Sequence, residues 1–275
     1  MPFLAWIKDF TDELHTTFAN IKYLQGCKNK YFDKLIKIGM PYFIYPFLMK
    51  GMKYFKDDSD KLNKLFQIME ILSFRYKLIN SRSDIVSRLY PVLRQFSGDV
   101  DNLNADVQKT LNDNWYWSDA RIGEYLNNNM YENSMVGYVL WEYEHIIQPV
   151  GYDSSKVKII KQQIEHISPR TADSEWVAAG YEVNGDNMYT EDFIRDWLNS
   201  LGNLMIISGS HNASIGNKPF EDKLKSYILN PLLRQQAEIA DFASEYNGKP
   251  YWGSYEIDSR HQKILEFALK RWSFN

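Results

Sequence analysis

The sequence contains a single cysteine, Cys27, in 275 residues. One thiol cannot close an intramolecular disulfide, and it excludes a cysteine-rich zinc knuckle and a CxxC redox pair. Such usage fits a reducing compartment, and Cys27 reads as an inert or partly exposed thiol. Long apolar runs are also missing. The most apolar stretch, residues 40–52, is interrupted by Pro41 and Pro46. It falls short of a membrane span and reads as buried core. No basic residues precede the apolar ones in Met1-Pro2-Phe3-Leu4-Ala5-Trp6-Ile7, so no secretion signal is expected. The expectation is a cytoplasmic protein with no membrane partner. Excess positive charge is absent as well: 32 Lys and Arg against 35 Asp and Glu give a net charge of -3. This argues against nucleic-acid binding by bulk electrostatics and leaves that role to a local basic strip, a bound metal or a partner domain outside this chain. There is no internal repeat and no low-complexity tract.

A hydrophobic fraction of 44% and 15% aromatics can fill a substantial core. The first half reads as helix after helix. Phe3, Ile7, Phe10, Leu14, Phe18 and Ile21 recur at steps of three and four, which places them on one helical face. Similar spacing predicts helices over 31–38, 62–79, 84–96 and 100–111, with Pro91 kinking or interrupting the third. Asp119 is placed to cap a helix starting near Arg121, and 132–147 forms another. Breaks fall at Gly39-Met40-Pro41, Ser97-Gly98-Asp99 and Gln148-Pro149-Val150-Gly151.

The texture changes after Gly151. Val157-Lys158-Ile159-Ile160 and Gln163-Ile164-Glu165-His166-Ile167 are short and β-branched, and predict a strand that ends at a Pro169 turn. Residues 171–187 read as a polar loop. Residues 190–199 form a short helix capped by Thr190. Residues 204–207 predict a buried strand, 208–219 a long polar turn, and Pro219 opens a helix running to Leu229. Two more helical segments follow, 231–244 and 258–273. The fold class is therefore mainly α: a helical domain over 1–152, then a strand–loop–strand–helix (ββα) domain over 153–275 with flanking helices.

The ββα segment carries the residues with chemistry. Hydrolysing a phosphodiester requires a proton acceptor for water and positive charge at the phosphoryl and leaving oxygens. A histidine suits the first task, and one hard cation the second. Glu165 offers a carboxylate and Asn212 an amide oxygen, a ligand set for Mg2+ or Mn2+. His166 can deprotonate water, and Asn203 can bond either the imidazole or the first strand's backbone. Glu165 and His166 are adjacent, so an extended strand points them to opposite faces. A twist or the strand end must then bring both to one pocket.

Three blocks carry a family resemblance: Glu165-His166-Ile167-Ser168-Pro169, Gly202-Asn203-Leu204, and Asn217-Lys218-Pro219-Phe220-Glu221-Asp222-Lys223. Together they resemble the C-terminal half of GmrSD-type restriction endonucleases, a branch of the HNH (His-Me finger) superfamily. The resemblance is specific over about 110 residues and looser before them. It implies a metal-dependent endonuclease acting on DNA in bacterial restriction or antiviral defence. It makes His166 the general base, Glu165 and Asn212 the metal ligands, and Asn203 the residue orienting the base. The sequence departs from the family in two ways. Glu165 stands where many HNH relatives carry aspartate, and no Gly-rich phosphate loop or DGQQR-like motif of an NTPase domain is present. The expectation is a fragment of a larger protein, or a subunit working with an NTPase partner.

Other residues keep two readings. Arg170, Lys218 and Lys223 are phosphate contacts or solvated charges. His211 is a ligand, a phosphate contact or a plain loop residue. Asn217 is a third ligand in place of Asn212, or a cap for the helix at Pro219. Trp115-Tyr116-Trp117 either stacks a base or packs a helix junction, whereas His15, His145 and His261 read as structural. Two rival functions remain in view: an RNA-directed nuclease or toxin using the same site, and a non-enzymatic module that binds nucleic acid or protein.

Overall fold

The computed structural model describes residues 2–113, 115–149, 162–171, 188–229 and 231–275. The strand expected at 157–160 and nearly all of the loop at 171–187 lie outside the described residues. The chain is mainly helical with two small sheets. It divides into two compact units, Met1–Ser118 with Trp272–Asn275, and Asp119–Arg271. This division does not fall at the expected 152/153 boundary. Two helices placed by periodicity in the first domain belong to the second unit.

The first unit holds α1 (Pro2–Gln25), α2 (Lys30–Lys37), α3 (Tyr45–Phe55), α4 (Ser59–Ile79), α5 (Ile85–Gln95) and α6 (Val100–Asp113). Side-chain caps set several starts. Asn29 Oδ1 accepts from the Tyr31 and Phe32 amides, Asp58 from Lys61, and Asp84 from Val86 and Ser87. α4 is the centre, with Leu65, Phe66, Met69, Leu72 and Phe74 fully buried. The stretch 40–52 buries Phe43, Ile44, Phe47, Leu48 and Met52 as expected, though Tyr42 and Tyr45 are exposed, and Pro46 sits in the first turn of α3, where its missing N–H has no cost. Pro91 lies inside α5, which continues to Gln95. Trp272 stacks on Phe74 at 3.8 Å, and its ring nitrogen donates to Glu70. The stripe predicted on α1 is real, but its first four turns are uncovered. Phe3, Trp6 and Phe10 stack on one another in solvent. Of the Trp115–Trp117 cluster, Trp117 is fully buried after α6, while Trp115 and Tyr116 are exposed.

The second unit opens with α7 (Asp119–Asn127) and α8 (Val136–Ile147). β1 (Gln162–His166) pairs antiparallel with β2 (Leu204–Ser208), with Glu165 opposite Met205 and His166 opposite Leu204. Between them lies α9 (Glu191–Phe193), capped by Thr190 and continuing as a π turn, Ile194–Leu198. Every residue of β2 is buried, as expected of a strand covered on both faces. β2 runs directly into α10 (Gly209–Ile215), capped by Ser208, and then α11 (Phe220–Leu229). The long turn expected at 208–219 is therefore mostly a short helix. The unit closes with α12 (Arg234–Phe242), a hairpin of β3 (Ser244–Tyr246) and β4 (Lys249–Tyr251), and α13 (Ser254–Arg271). The hairpin turns on Asn247-Gly248, both at positive φ. That pair is a strong hairpin signal, and it lies between the two expected helical segments, 231–244 and 258–273, where no element was expected.

Candidate active site

Gln163, Ile164, Glu165 and His166 are consecutive, and all four line one cavity of about 400 Å3. Alternating side chains cannot all face one side of a strand, so the cavity runs along the outer edge of β1, which has β2 as its sheet partner. The edge thus resolves the opposition of Glu165 and His166. Asn212 and Ala213 of α10, Asn217, Arg170, Tyr131 and Lys223 complete much of the wall.

Glu165 is 5% exposed. Its Oε1 accepts from Lys223 Nζ at 2.6 Å and from Tyr227 Oη at 3.0 Å. Lys223 Nζ also donates to the His166 carbonyl at 2.7 Å. Burial pushes the Glu165 carboxyl up and the Lys223 ammonium down, against their mutual attraction. Lys223, expected as a phosphate contact or a solvated charge, is instead only 1% exposed and serves as an internal counter-charge. Both side-chain donors fall on Oε1, so Oε2 is the oxygen left to face a ligand.

His166 is likewise 5% exposed, and burial pushes its pKa down to about 4. The imidazole is neutral at physiological pH. Its Nε2 donates to Asn199 Oδ1 at 3.0 Å, which leaves the lone pair on Nδ1. Asn199 follows the π turn, a wider turn often found at functional sites. The Tyr131 ring packs on the imidazole at 4.4 Å, and the Arg170 guanidinium lies 5.4 Å from the same ring. The sequence reading missed Asn199, Tyr131 and Tyr227. Nothing in their local spacing marks them, because they meet His166 and Glu165 only through tertiary packing.

Asn203 does not touch the imidazole. Its Oδ1 accepts from the Ser168 amide and the Trp252 ring nitrogen, and its Nδ2 donates to the Ser168 and Leu198 carbonyls. Fully buried and satisfied at both ends, it extends the β1–β2 ladder and fixes the chain just past His166. The hydrogen bond to the imidazole expected of Asn203 is made by Asn199 instead. Asn212 Nδ2 donates to Gln163 Oε1 at 2.6 Å, which turns the Asn212 carbonyl oxygen into the uncommitted end of its amide. Asn217 lines the cavity, and its Nδ2 donates to the Thr171 carbonyl. His211 is a helical tie and not a loop residue. Gln236 Nε2 donates to its Nδ1, and its Nε2 donates to Ser226. Lys218 is exposed outside the cavity wall. Among the described residues no three His, Cys, Asp or Glu side chains cluster as a metal cage.

A family model described as GmrSD restriction endonucleases, C-terminal domain, matches residues 110–267, more than half of the chain. The chain belongs to this family. No curated protein and no solved structure matches it. Membership makes this a nuclease-type domain of a restriction endonuclease, and the three family blocks now have physical reasons. In the first, Glu165 and His166 edge the cavity, Ile167 fills the core, and the Pro169 carbonyl accepts from Tyr189 Oη. In the second, a Cβ on Gly202 would lie 1.9 Å from the Ile257 carbonyl, so only glycine allows α13 to approach. Arg260, fully buried, grips the Gly202 and Leu204 carbonyls of this block and that of the preceding Leu201. In the third, Phe220 stacks on Trp252 and Lys223 pairs with Glu165.

Proposed function

We propose that the second unit is an HNH-type ββα-metal nuclease domain that hydrolyses DNA phosphodiester bonds. One observation carries this reading: Glu165, His166 and Asn212 line a single cavity, with the imidazole neutral and its Nδ1 lone pair uncommitted. The donor chemistry fits a hard divalent cation. The Glu165 Oε2 and Asn212 Oδ1 atoms are oxygens, and two protein ligands leave most of the shell to water and phosphate. Bound there, Mg2+ or Mn2+ supplies charge stabilisation at the phosphoryl and leaving oxygens. The chain's own groups do the rest. His166 Nδ1 accepts the proton of the attacking water, while Asn199 holds the ring so that Nδ1 faces the cavity. Arg170, steadied against Tyr131, contacts a phosphate.

The family supports restriction of foreign DNA, in bacterial antiviral defence and in the cytoplasm, as the setting of this activity. It also supports an NTPase domain or subunit as partner. Among the described residues no helix is long and apolar enough to cross a membrane. The decisive assay is nicking of supercoiled plasmid in magnesium or manganese. His166→Ala should abolish nicking, a loss of 10²-fold or more for a general base, with an unchanged circular dichroism spectrum. Undiminished activity in that variant removes His166 from the chemistry. Cleavage of single-stranded RNA in place of duplex DNA, in parallel reactions, would redirect the substrate assignment.

A further inference from the structure

We propose that Lys223 is a resident cation of the Glu165 site, so that a divalent metal is held firmly only together with a DNA phosphate. The inference rests on the nuclease reading above and goes beyond it to how the site is loaded. Glu165 is the one acidic side chain lining the cavity among the described residues. Its charge is already matched by Lys223 at 2.6 Å, inside the protein, where water screens little. Arg170 adds a second cation to the same wall, while Asn212 and Gln163 add no charge of either sign. Over the described residues the wall is therefore net positive before anything binds. A free dication meets repulsion there, whereas a phosphate is attracted, and the pair together is balanced.

The geometry sharpens the point. Lys223 Nζ and Tyr227 Oη both occupy Oε1, so Glu165 can offer a metal one oxygen and not two. Nζ is also tied to the His166 carbonyl at 2.7 Å, which prevents it from swinging aside. Single-oxygen coordination by a shared carboxylate is weak by itself, and the missing ligands and charge come from the substrate. Linkage then requires that metal raise DNA affinity by the same factor as DNA raises metal affinity.

The test is calorimetric titration of Mn2+ into the His166→Ala chain at pH 8, alone and with a saturating duplex oligonucleotide. Glu165→Ala with the same duplex supplies the background of manganese held by DNA. Binding at least tenfold tighter in the presence of DNA is expected. Lys223→Gln keeps a donor to Oε1 but removes the charge. It should tighten manganese binding without DNA by fivefold or more and shrink the dependence on DNA. Equal affinity with and without DNA overturns the proposal. So does a folded Lys223→Gln chain whose DNA-free affinity is unchanged or weaker. If Lys223→Gln fails to fold, the comparison with and without DNA decides alone. A chain that nicks plasmid through His166 yet binds manganese indifferently to DNA keeps its assignment as a nuclease and loses this mechanism of loading.

Discussion

Burial does two things to His166: it keeps the imidazole neutral, and it ties protein stability to that neutrality. In the unfolded chain the ring titrates near 6.5, whereas in the fold it is held down to about 4. Above pH 6.5 neither form carries the proton, and the folded state loses nothing. Between 6.5 and about 4 the unfolded chain takes up a proton that the folded chain refuses, so stability falls as pH falls. The loss over that window is about 3 kcal/mol. Urea unfolding followed from pH 7 to pH 4 should show it, and His166→Gln should flatten this part of the curve. His211 and His261 are shifted the same way by burial, so the difference between the two chains isolates His166. An unchanged slope in the variant would mean that the ring is not held neutral by burial.

At the scale of elements, the site depends on how β1 and β2 are joined. Asn203 replaces ladder bonds that β1 and β2 no longer make beyond His166, and the Gly202 contact seats α13 against the same turn. Removing the Asn203 amide leaves the Ser168 N–H and the Trp252 ring N–H without acceptors in the interior. Asn203→Ala is therefore expected to destabilise the fold by about 3–6 kcal/mol. A thermal melt reads this directly. A variant that melts with the parent but fails to cleave would return Asn203 to the chemistry. The sequence made Asn203 conspicuous through its Gly202-Asn203-Leu204 block but could not separate a residue that holds the base from one that holds the strand. Both tasks require a carboxamide. Asn199, which does hold the ring, sits only four residues earlier in an unremarkable segment.

For the whole molecule, the apolar core and the proposed metal site are built from different residues. Ile207, Ile215, Phe220 and Trp252 close the second unit around β2 through apolar contacts. Chelation with EDTA should therefore stop plasmid nicking completely while leaving the far-ultraviolet circular dichroism and the melting temperature nearly unchanged. A collapse of the spectrum on chelation would make the cation structural. The partition into units also matters here. α7 and α8 supply Tyr131, in the segment between them, and Asn127, which accepts from the buried His261. Helices that the sequence placed in a leading domain thus pack in the second unit.

Much of the architecture was legible because it is local. Helix spans follow from three-and-four spacing and side-chain caps, β2 from a short run of buried aliphatics, and the Glu165, His166 and Asn212 constellation from residue types that only a few chemistries need together. What tertiary structure decided is who touches whom. It put Lys223 inside as the partner of Glu165, made Asn199 the support of His166, turned His211 into a tie between helices, and moved the division between units to Ser118. A charge written in a sequence carries no sign of whether water or a carboxylate will surround it. That is settled only when distant elements pack and exclude the solvent.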